Sequence, residues 1–279
     1  MFKVLQPGLQ TTYQDLGRFG YRDRGVPLSG AMDQNLAGFA NSLFENQSDA
    51  VVIEFAIIGP QLEVLEDVEV AVCGMGLQSL FDNQPLPANQ KVLLQKGQQL
   101  KVGSLDGSMR GYLAVSGGFD VVSVLGSCSY YPDLNIPKIE KGSLLKLKSE
   151  LSTNNELNKP TLGFDSYKSS MIKVSKGPEF KLLSEELKQE LFKTNFKIKP
   201  QSNRMATLFD RGVSKGVKEI ITAPVQPGTV QLTPSGTLVV LMRDAQATGG
   251  YARIFQLSPD AINHLSQKQA GETVKFKLL

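Results

Sequence analysis

One histidine and two cysteines among 279 residues remove most of the common catalytic and metal-binding repertoire. His264 follows Ser258-Pro259-Asp260, next to Leu265, where a surface or half-buried helical position is expected. It lies away from the polar loops described below, so Ser-His-Asp and Cys-His nucleophile systems are excluded. Zinc would need a clustering of His and Cys that is absent, and no metal site is assigned. Cys73 and Cys128 are far apart, in apolar or small-residue surroundings, and read as free thiols. No apolar run approaches the ~20 residues needed to cross a bilayer. No G-x-x-x-x-G-K-[ST] is present, so no Walker-type ATP site is encoded. Cys73-Gly74-Met75-Gly76 lacks a third glycine and a following helix, and reads as a tight turn. The net charge of +3 is small, and no basic run interleaves with aromatics, which argues against nucleic acid. The opening Met1-Phe2-Lys3-Val4-Leu5-Gln6-Pro7 starts like a strand and breaks at proline, so no signal peptide is expected and the cytoplasm is the simplest compartment.

Against these absences stands a dense polar block, Gln226 to Ile254. Two apolar runs, Thr229–Leu232 and Leu238–Met242, flank Thr233-Pro234-Ser235-Gly236, predicting strand, turn, strand. The second run enters Arg243-Asp244-Ala245-Gln246-Ala247-Thr248-Gly249-Gly250-Tyr251, which places a cation, a carboxylate, an amide, a hydroxyl and a phenol in one loop. Gly249 and Gly250 remove two Cβ atoms, so a ligand or another backbone can approach. A hairpin with an exposed Arg–Asp pair is the alternative. Near the N-terminus, Thr11 to Asp33 carries Gly17, Gly20, Gly25, Gly30 and Pro27 together with Tyr13, Phe19 and Tyr21. Such a composition predicts a long ordered loop. Asp15 and Arg18 within it either pair or contact substrate. By residue type, Asp15 or Asp244 suits a general base, and Arg243 or Arg253 suits a carboxylate or phosphate. Gln231, Gln246 or Thr248 suits an amide. Arg18, Gly249, Gly250 and Tyr251 complete the candidate substrate-binding set.

Short strand-like runs dominate the remainder: Phe2–Leu5, Val51–Phe55, Gln61–Leu65, Val68–Cys73, Lys91–Gln95, Leu100–Val102, Arg110–Val115 and Met171–Val174. Lys138 to Lys148 reads as a solvated strand face. Helices are predicted from about Asp33 to Leu43 and from Ser258 to about Gln267, each with an N-cap candidate, and at Ser184–Phe192, with Glu185 and Glu186 in its first turn. The first presents its N-terminus to the Gly-rich loop, a favourable place for an anion. Val274, Phe276 and Leu278 alternate with lysines as a closing strand. Polarity rises between Lys148 and Ser170, so two β-rich domains, 1–160 and 161–279, are expected, each with a Gly-Gly-aromatic after a strand (Gly117-Gly118-Phe119 and Gly249-Gly250-Tyr251).

The segment TTYQDLGRFGYRDRGVPLSGAMD resembles the opening signature of the allophanate hydrolase subunit 2 family. That family includes the sporulation-kinase-inhibitor antagonist KipA and the C subunit of the bacterial ATP-dependent 5-oxoprolinase. Leu113-Ala114-Val115-Ser116-Gly117-Gly118-Phe119, Leu125-Gly126-Ser127 and the Gln226–Ile254 block continue the resemblance in order along nearly the whole chain. One stretch departs: after an Arg-Met pair the family has a Gly-Tyr-Arg-Leu-like sequence, whereas here Arg204-Met205 is followed by Ala206-Thr207-Leu208-Phe209. The resemblance implies a mainly β chain with a few helices, built as two tandem β-barrel-like domains, the C-terminal one cyclophilin-like. It implies ATP-dependent amide or lactam chemistry shared among several proteins. With no fused biotin carboxylase and no Ala-Met-Lys-Met sequence, 5-oxoprolinase fits best: 5-oxo-L-proline is opened to L-glutamate with a KipI-like B subunit and a 5-oxoprolinase A subunit. This chain would be inactive alone and hold no cofactor itself, with ATP and Mg required by the assembled complex. The alternatives are a non-catalytic antagonist of a kinase-inhibitor-like partner, and a carboxyltransferase component of a urea or allophanate system.

Overall fold

The computed structural model describes residues 1–148 and 163–279. The chain divides into two compact units. The first comprises Met1–Arg18 and Ser29–Gly163. The second comprises Phe19–Leu28 and Phe164–Leu279, so a short piece of the N-terminal loop belongs to the C-terminal unit. The expected boundary at 160/161 lies outside the described residues.

The first unit contains β1 (Phe2–Gln6), β2 (Thr12–Gln14), α1 (Gln34–Ser42), β3 (Val52–Ala56), β4 (Gln61–Val64) and β5 (Val68–Cys73). It continues with β6 (Ser79–Phe81), β7 (Gln84–Leu86), β8 (Val92–Leu94), β9 (Gln99–Val102), β10 (Arg110–Val115) and β11 (Leu144–Leu145). A six-stranded sheet, β11-β1-β4-β9-β6-β7, faces a five-stranded one, β2-β3-β10-β5-β8. Their inner faces share one core, in which Phe2, Leu62 and Leu100 meet Phe55, Val72 and Leu113. Strands β1 and β9 alternate buried and exposed residues, as expected of a sheet with one wet face. Strands β3 and β10 are buried throughout, and α1 packs on β10 and β5. Burial on both faces brings Glu54 into the interior, where its Oε2 accepts from Met32 N–H and Tyr112 O–H, each at 2.7 Å. The phenol of Tyr112 also accepts from Asp33 N–H at 2.8 Å. Desolvation, followed by the Glu54 and Asp33 charges, raises its pKa well above the ordinary phenol value. Asp33 caps α1 by accepting from Leu36 N–H at 3.0 Å.

The second unit contains α2 (Asp165–Lys168), β12 (Met171–Lys176), α3 (Glu185–Lys193), β13 (Phe196–Lys197), β14 (Ala206–Leu208) and β15 (Ala223–Pro224). Then come β16 (Thr229–Leu232), β17 (Leu238–Leu241), β18 (Thr248–Gly249), β19 (Ala252–Leu257), α4 (Pro259–Ser266) and β20 (Thr273–Leu278). The seven-stranded sheet runs β13-β20-β12-β19-β16-β17-β14, with β15-β18 as a separate two-stranded ladder. Pairing is antiparallel except between β12 and β20. The β16–β17 hairpin is the one its sequence predicts, with Gly236 at φ +84° in the turn. Ser184 and Ser258 cap α3 and α4 through their side chains. A run of rings fills the interior: Phe180 lies 5.5 Å from Phe255, Phe255 5.7 Å from Phe276, and Phe276 5.5 Å from Phe196.

Three expectations are corrected. Tandem β-barrels, the second cyclophilin-like, are not found among the described residues. The first unit is two open sheets packed face to face, and the seven-stranded sheet is open at β13 and β14, which touch through the single bridge Ile198–Phe209 with no ladder. Nothing in that strand order identifies a cyclophilin-like domain. The resemblance supplied the barrel expectation, and closure depends on edge pairing that strand-like runs do not encode. Thr12–Gln14, within the predicted loop, is a strand paired with β3, while Lys138 to Lys148 holds only the two-residue β11. Among the described residues no helix is long and apolar enough to cross a membrane.

Candidate functional site

In the first unit Asp15 is a hub of hydrogen bonds. Its carboxylate accepts from Gly17 N–H (2.7 Å), Ser127 O–H (2.7 Å), Cys128 N–H (2.6 Å) and Ser129 O–H (2.6 Å). Arg18, 1% exposed, donates to Ser129 O. Asp15 and Arg18 therefore meet on the same Ser127–Ser129 loop. Both oxygens of Asp15 are engaged, so its charge fixes that loop against the Gly-rich segment. Cys128 in this loop is half-buried and its thiol pKa is raised, first by burial and then by Asp15.

The remaining nominated residues lie in the second unit, and the fold sends them in different directions. Arg204 grips Asp244 bidentately, Nε to Oδ2 at 2.8 Å and Nη2 to Oδ1 at 3.0 Å, with Asp244 N–H on Arg204 O at 2.9 Å. Arg243 turns to α4 and donates to Asn263 Oδ1 at 2.9 Å. Thr248 and Gly249 pair with Pro224 and Ala223, and Gly250 O accepts from Ile220 N–H. Gln231, 2% exposed, has a buried Nε2 without a hydrogen-bond partner, lying against Gly249; a Cβ on Gly249 would come within 2.5 Å of it. Tyr251 is exposed.

Arg253 reaches a different place. On β19 it lines a cavity of about 330 Å³ together with Arg22, Lys176, Gln226, Thr229 and Gln256. Three cations thus converge from three stretches of sequence. Each is held in its own way. Arg22 arrives on the Phe19–Leu28 segment and donates through Nη2 to Val225 O and, at 3.2 Å, to Gln246 O. Its Nη1 is buried without a hydrogen-bond partner, and desolvation lowers its pKa. Arg253 makes a fork with Glu179, Nε to Oε2 at 2.9 Å and Nη2 to Oε1 at 2.8 Å, and its Nη1 donates to Pro224 O at 3.0 Å. That fork lowers the Glu179 pKa and raises that of Arg253. Lys176, exposed at the end of β12, stands over the Phe180 ring at 5.3 Å.

The polar wall is fixed too. Gln256 Oε1 accepts from Thr229 O–H at 2.9 Å, and its Nε2 donates to Pro227 O and Leu257 O. Gly177 lets the wall close. A Cβ there would lie 2.1 Å from Arg253 O, a backbone atom that cannot yield. Among the described residues no group of three or more His, Cys, Asp or Glu is placed to hold a metal. The cavity's chemistry is that of an anion receptor, lined by two guanidinium groups and an ammonium group with a single carboxylate, Glu179, paired to one of them.

Sequence reasoning nominated Arg253 and Gln246 but not Arg22, Lys176, Glu179, Gln256 or Arg204. Arg22 sat inside the glycine-rich segment, yet nothing in the spacing separates it from Arg24. The only local signal for Glu179 was its position after Gly177-Pro178 at a strand end.

Comparison with known proteins places the chain in a family. The model of the carboxyltransferase domain, subdomain A and B, matches residues 24–278. The chain is 30% identical over 282 residues to the 5-oxoprolinase C subunit of Escherichia coli (strain K12), covering 99% of this chain and 90% of that protein. The crystal structure of TTHA0988 superposes with a TM-score of 0.88 at 30% identity, over 99% of this chain and 55% of that one. The K. lactis urea amidolyase superposes with a TM-score of 0.88 at 26% identity, over 100% of this chain and 18% of that one. The chain therefore spans about half of TTHA0988 and a smaller part of urea amidolyase. With a match over nearly its full length, the chain belongs to the family of the carboxyltransferase domain, subdomain A and B, in which the 5-oxoprolinase C subunit is a near full-length relative.

Proposed function

We propose that this chain is one component of an ATP-dependent 5-oxoprolinase that opens 5-oxo-L-proline to L-glutamate with A and KipI-like B subunits. The observation that carries this reading is similarity along both full lengths: 99% of this chain and 90% of the E. coli C subunit are covered. The cation-lined cavity supports it, because the substrate is anionic and its activated forms more so. In the reaction water adds to the lactam carbonyl, the ring C–N bond breaks, and the leaving nitrogen takes a proton. An unstrained lactam resists this, and ATP would supply the activation. ATP and Mg are assigned to the assembled complex, on the likeness to the 5-oxoprolinase C subunit.

The roles that fall to this chain are binding and orientation. Arg22 and Lys176 hold an anionic group of the substrate, Arg253 stays in its fork with Glu179, and Gln256 and Thr229 form the wall beside it. Asp15 and Asp244 are the candidate proton acceptors. For Asp244 that role requires Arg204 to release an oxygen, and for Asp15 it requires a serine to do so. Full activity of Asp244→Asn in the complex would remove Asp244 from the chemistry. A carboxyltransferase component acting with carboxybiotin from another chain is the second reading, favoured by the matched domain and by the likeness to urea amidolyase.

The deciding measurement is ATP-dependent glutamate release from 5-oxo-L-proline by this chain with A and B subunits, and with each omitted. Turnover that disappears when this chain is left out is expected. Turnover without it, or urea-dependent carboxybiotin discharge in its place, would refute the lactam reading.

A further inference from the structure

We infer that the cavity of the second unit is a receptor for a phosphoryl dianion, and that Arg22, carried by the Phe19–Leu28 segment, is its specificity-determining residue. The inference rests on the functional reading above and names the ligand class of that same site.

Charge sets the valence. Arg22, Lys176 and Arg253 line the cavity, and Glu179, gripping Arg253, neutralises one of the three. Two positive charges are left facing the space, which matches a dianion and over-compensates a monocarboxylate. Donor geometry agrees. Arg22 uses Nη2 on the carbonyls of Val225 and Gln246 and keeps Nη1 buried and unpartnered. A buried guanidinium donor left unsatisfied is destabilising, and an oxyanion that reached it would satisfy it. Burial already lowers the Arg22 pKa, as expected of a cation held in a poorly solvated place. Volume also agrees. At about 330 Å³ the cavity is roughly ten times the ~30 Å³ share of one water, so a phosphoryl group leaves room for a small organic remainder. Phe255 and Pro178 supply an apolar wall for that remainder.

The ligand chemistry has two sources, orthophosphate and a phosphorylated small molecule such as an acyl phosphate, and both carry the same dianionic head. Binding needs no turnover and no partner. Titration calorimetry of the full chain alone, with orthophosphate, acetyl phosphate, bicarbonate and 5-oxo-L-proline as separate probes, therefore tests it. Saturable one-to-one binding of the phosphoryl probes is expected, with the monoanions at least about tenfold weaker. Tighter binding of acetyl phosphate assigns the site to a phosphorylated metabolite, and tighter orthophosphate assigns it to the free ion. Arg22→Ala should weaken phosphoryl binding about 10- to 100-fold, as loss of charge-assisted hydrogen bonds predicts. Arg22→Lys should recover only part, because one ammonium cannot hold the two carbonyls and also keep a planar guanidinium's second nitrogen for the ligand. Circular dichroism checks that these variants are folded. Lys176→Ala, whose side chain is exposed, keeps the test available if they are not, with a loss of about two- to fivefold.

Absence of phosphoryl binding to the folded chain overturns the inference. So does equal binding by the monoanions, or binding unchanged by both Arg22→Ala and Lys176→Ala. The two readings fail separately. Phosphoryl binding without glutamate release removes the lactam function and leaves the site. Chain-dependent glutamate release without phosphoryl binding removes the site and leaves the function.

Discussion

Arg204 and Asp244 show how a residue type can suggest chemistry while its neighbours give it a structural task. Both side chains are mostly buried, and the fork between them is joined by a backbone bond between the same two residues. Removing the arginine leaves a buried carboxylate without its partner, which is the costly way to break such a pair. Arg204→Ala is expected to lower unfolding stability by about 3 kcal/mol. The double variant Arg204→Ala/Asp244→Ala should lose less, because no charge is then stranded. Urea denaturation of the wild type and both variants measures this. A single variant within about 0.5 kcal/mol of wild type would show that the pair carries no such weight. Asp244 was legible as a polar residue at a strand end. Its partner was not, because 40 residues separate them and no local pattern links the two positions. The same holds for Glu179 and Arg253, 74 residues apart. Arg204, just before the stretch Ala206-Thr207-Leu208-Phe209 where the chain departs from the family's pattern, thus has a role through Asp244 that needs no ligand.

At the scale of elements, helices and longer strands were readable because period and punctuation coincide. Ser258 caps α4, Pro259 begins it, and the apolar face packs on β12 and β19. The two-residue strands Ala223–Pro224 and Thr248–Gly249 were not readable, since two residues have no period. Strand β19, Ala252–Leu257, is absent from the strand-like runs read in the sequence, although a hairpin across Gly249-Gly250 called for a strand after it. Helix α4 also carries the sole histidine, which makes its protonation separable. His264 Nε2 lies 2.8 Å from Ser169 O, and its ring meets Tyr167 edge-on. Burial is the main cause of a pKa below the ordinary 6.5. The unfolded chain then binds the proton first as pH falls, so stability is full above 6.5 and declines as pH drops from there through the folded value. His264→Gln, which can still donate to Ser169 O, should remove that decline while keeping stability at neutral pH. Thermal midpoints measured between neutral and mildly acidic pH test this, and an unchanged acid slope in the variant would place its origin elsewhere.

On the scale of the whole molecule, the division of the chain is not a single cut. Phe19–Leu28 leaves the first unit after Arg18 and belongs to the second, while Ser29 returns to the first. A rise in polarity along the sequence cannot express such a crossing, and neither can a count of strands decide whether a sheet closes. The crossing has a measurable consequence, because Arg22 is the segment's anchor on Val225 O and Gln246 O. Next to those carbonyls, Val225 N–H donates to Ala247 O at 3.0 Å and Ile220 N–H to Gly250 O at 2.9 Å. A contiguous fragment of residues 163–279 has the whole seven-stranded sheet but lacks the anchor. Its amides at Ile220 and Val225 are expected to exchange about tenfold faster than in the intact chain, while those of β12, β16 and β19 keep their ranking. The tenfold figure corresponds to about 1.4 kcal/mol of local opening, the scale of one or two hydrogen bonds to a charged donor. A synthetic peptide of residues 19–28, added in excess, should restore the protection. Equal exchange at these two amides in fragment and full chain would mean that the segment only rests on the second unit and does not help to build it.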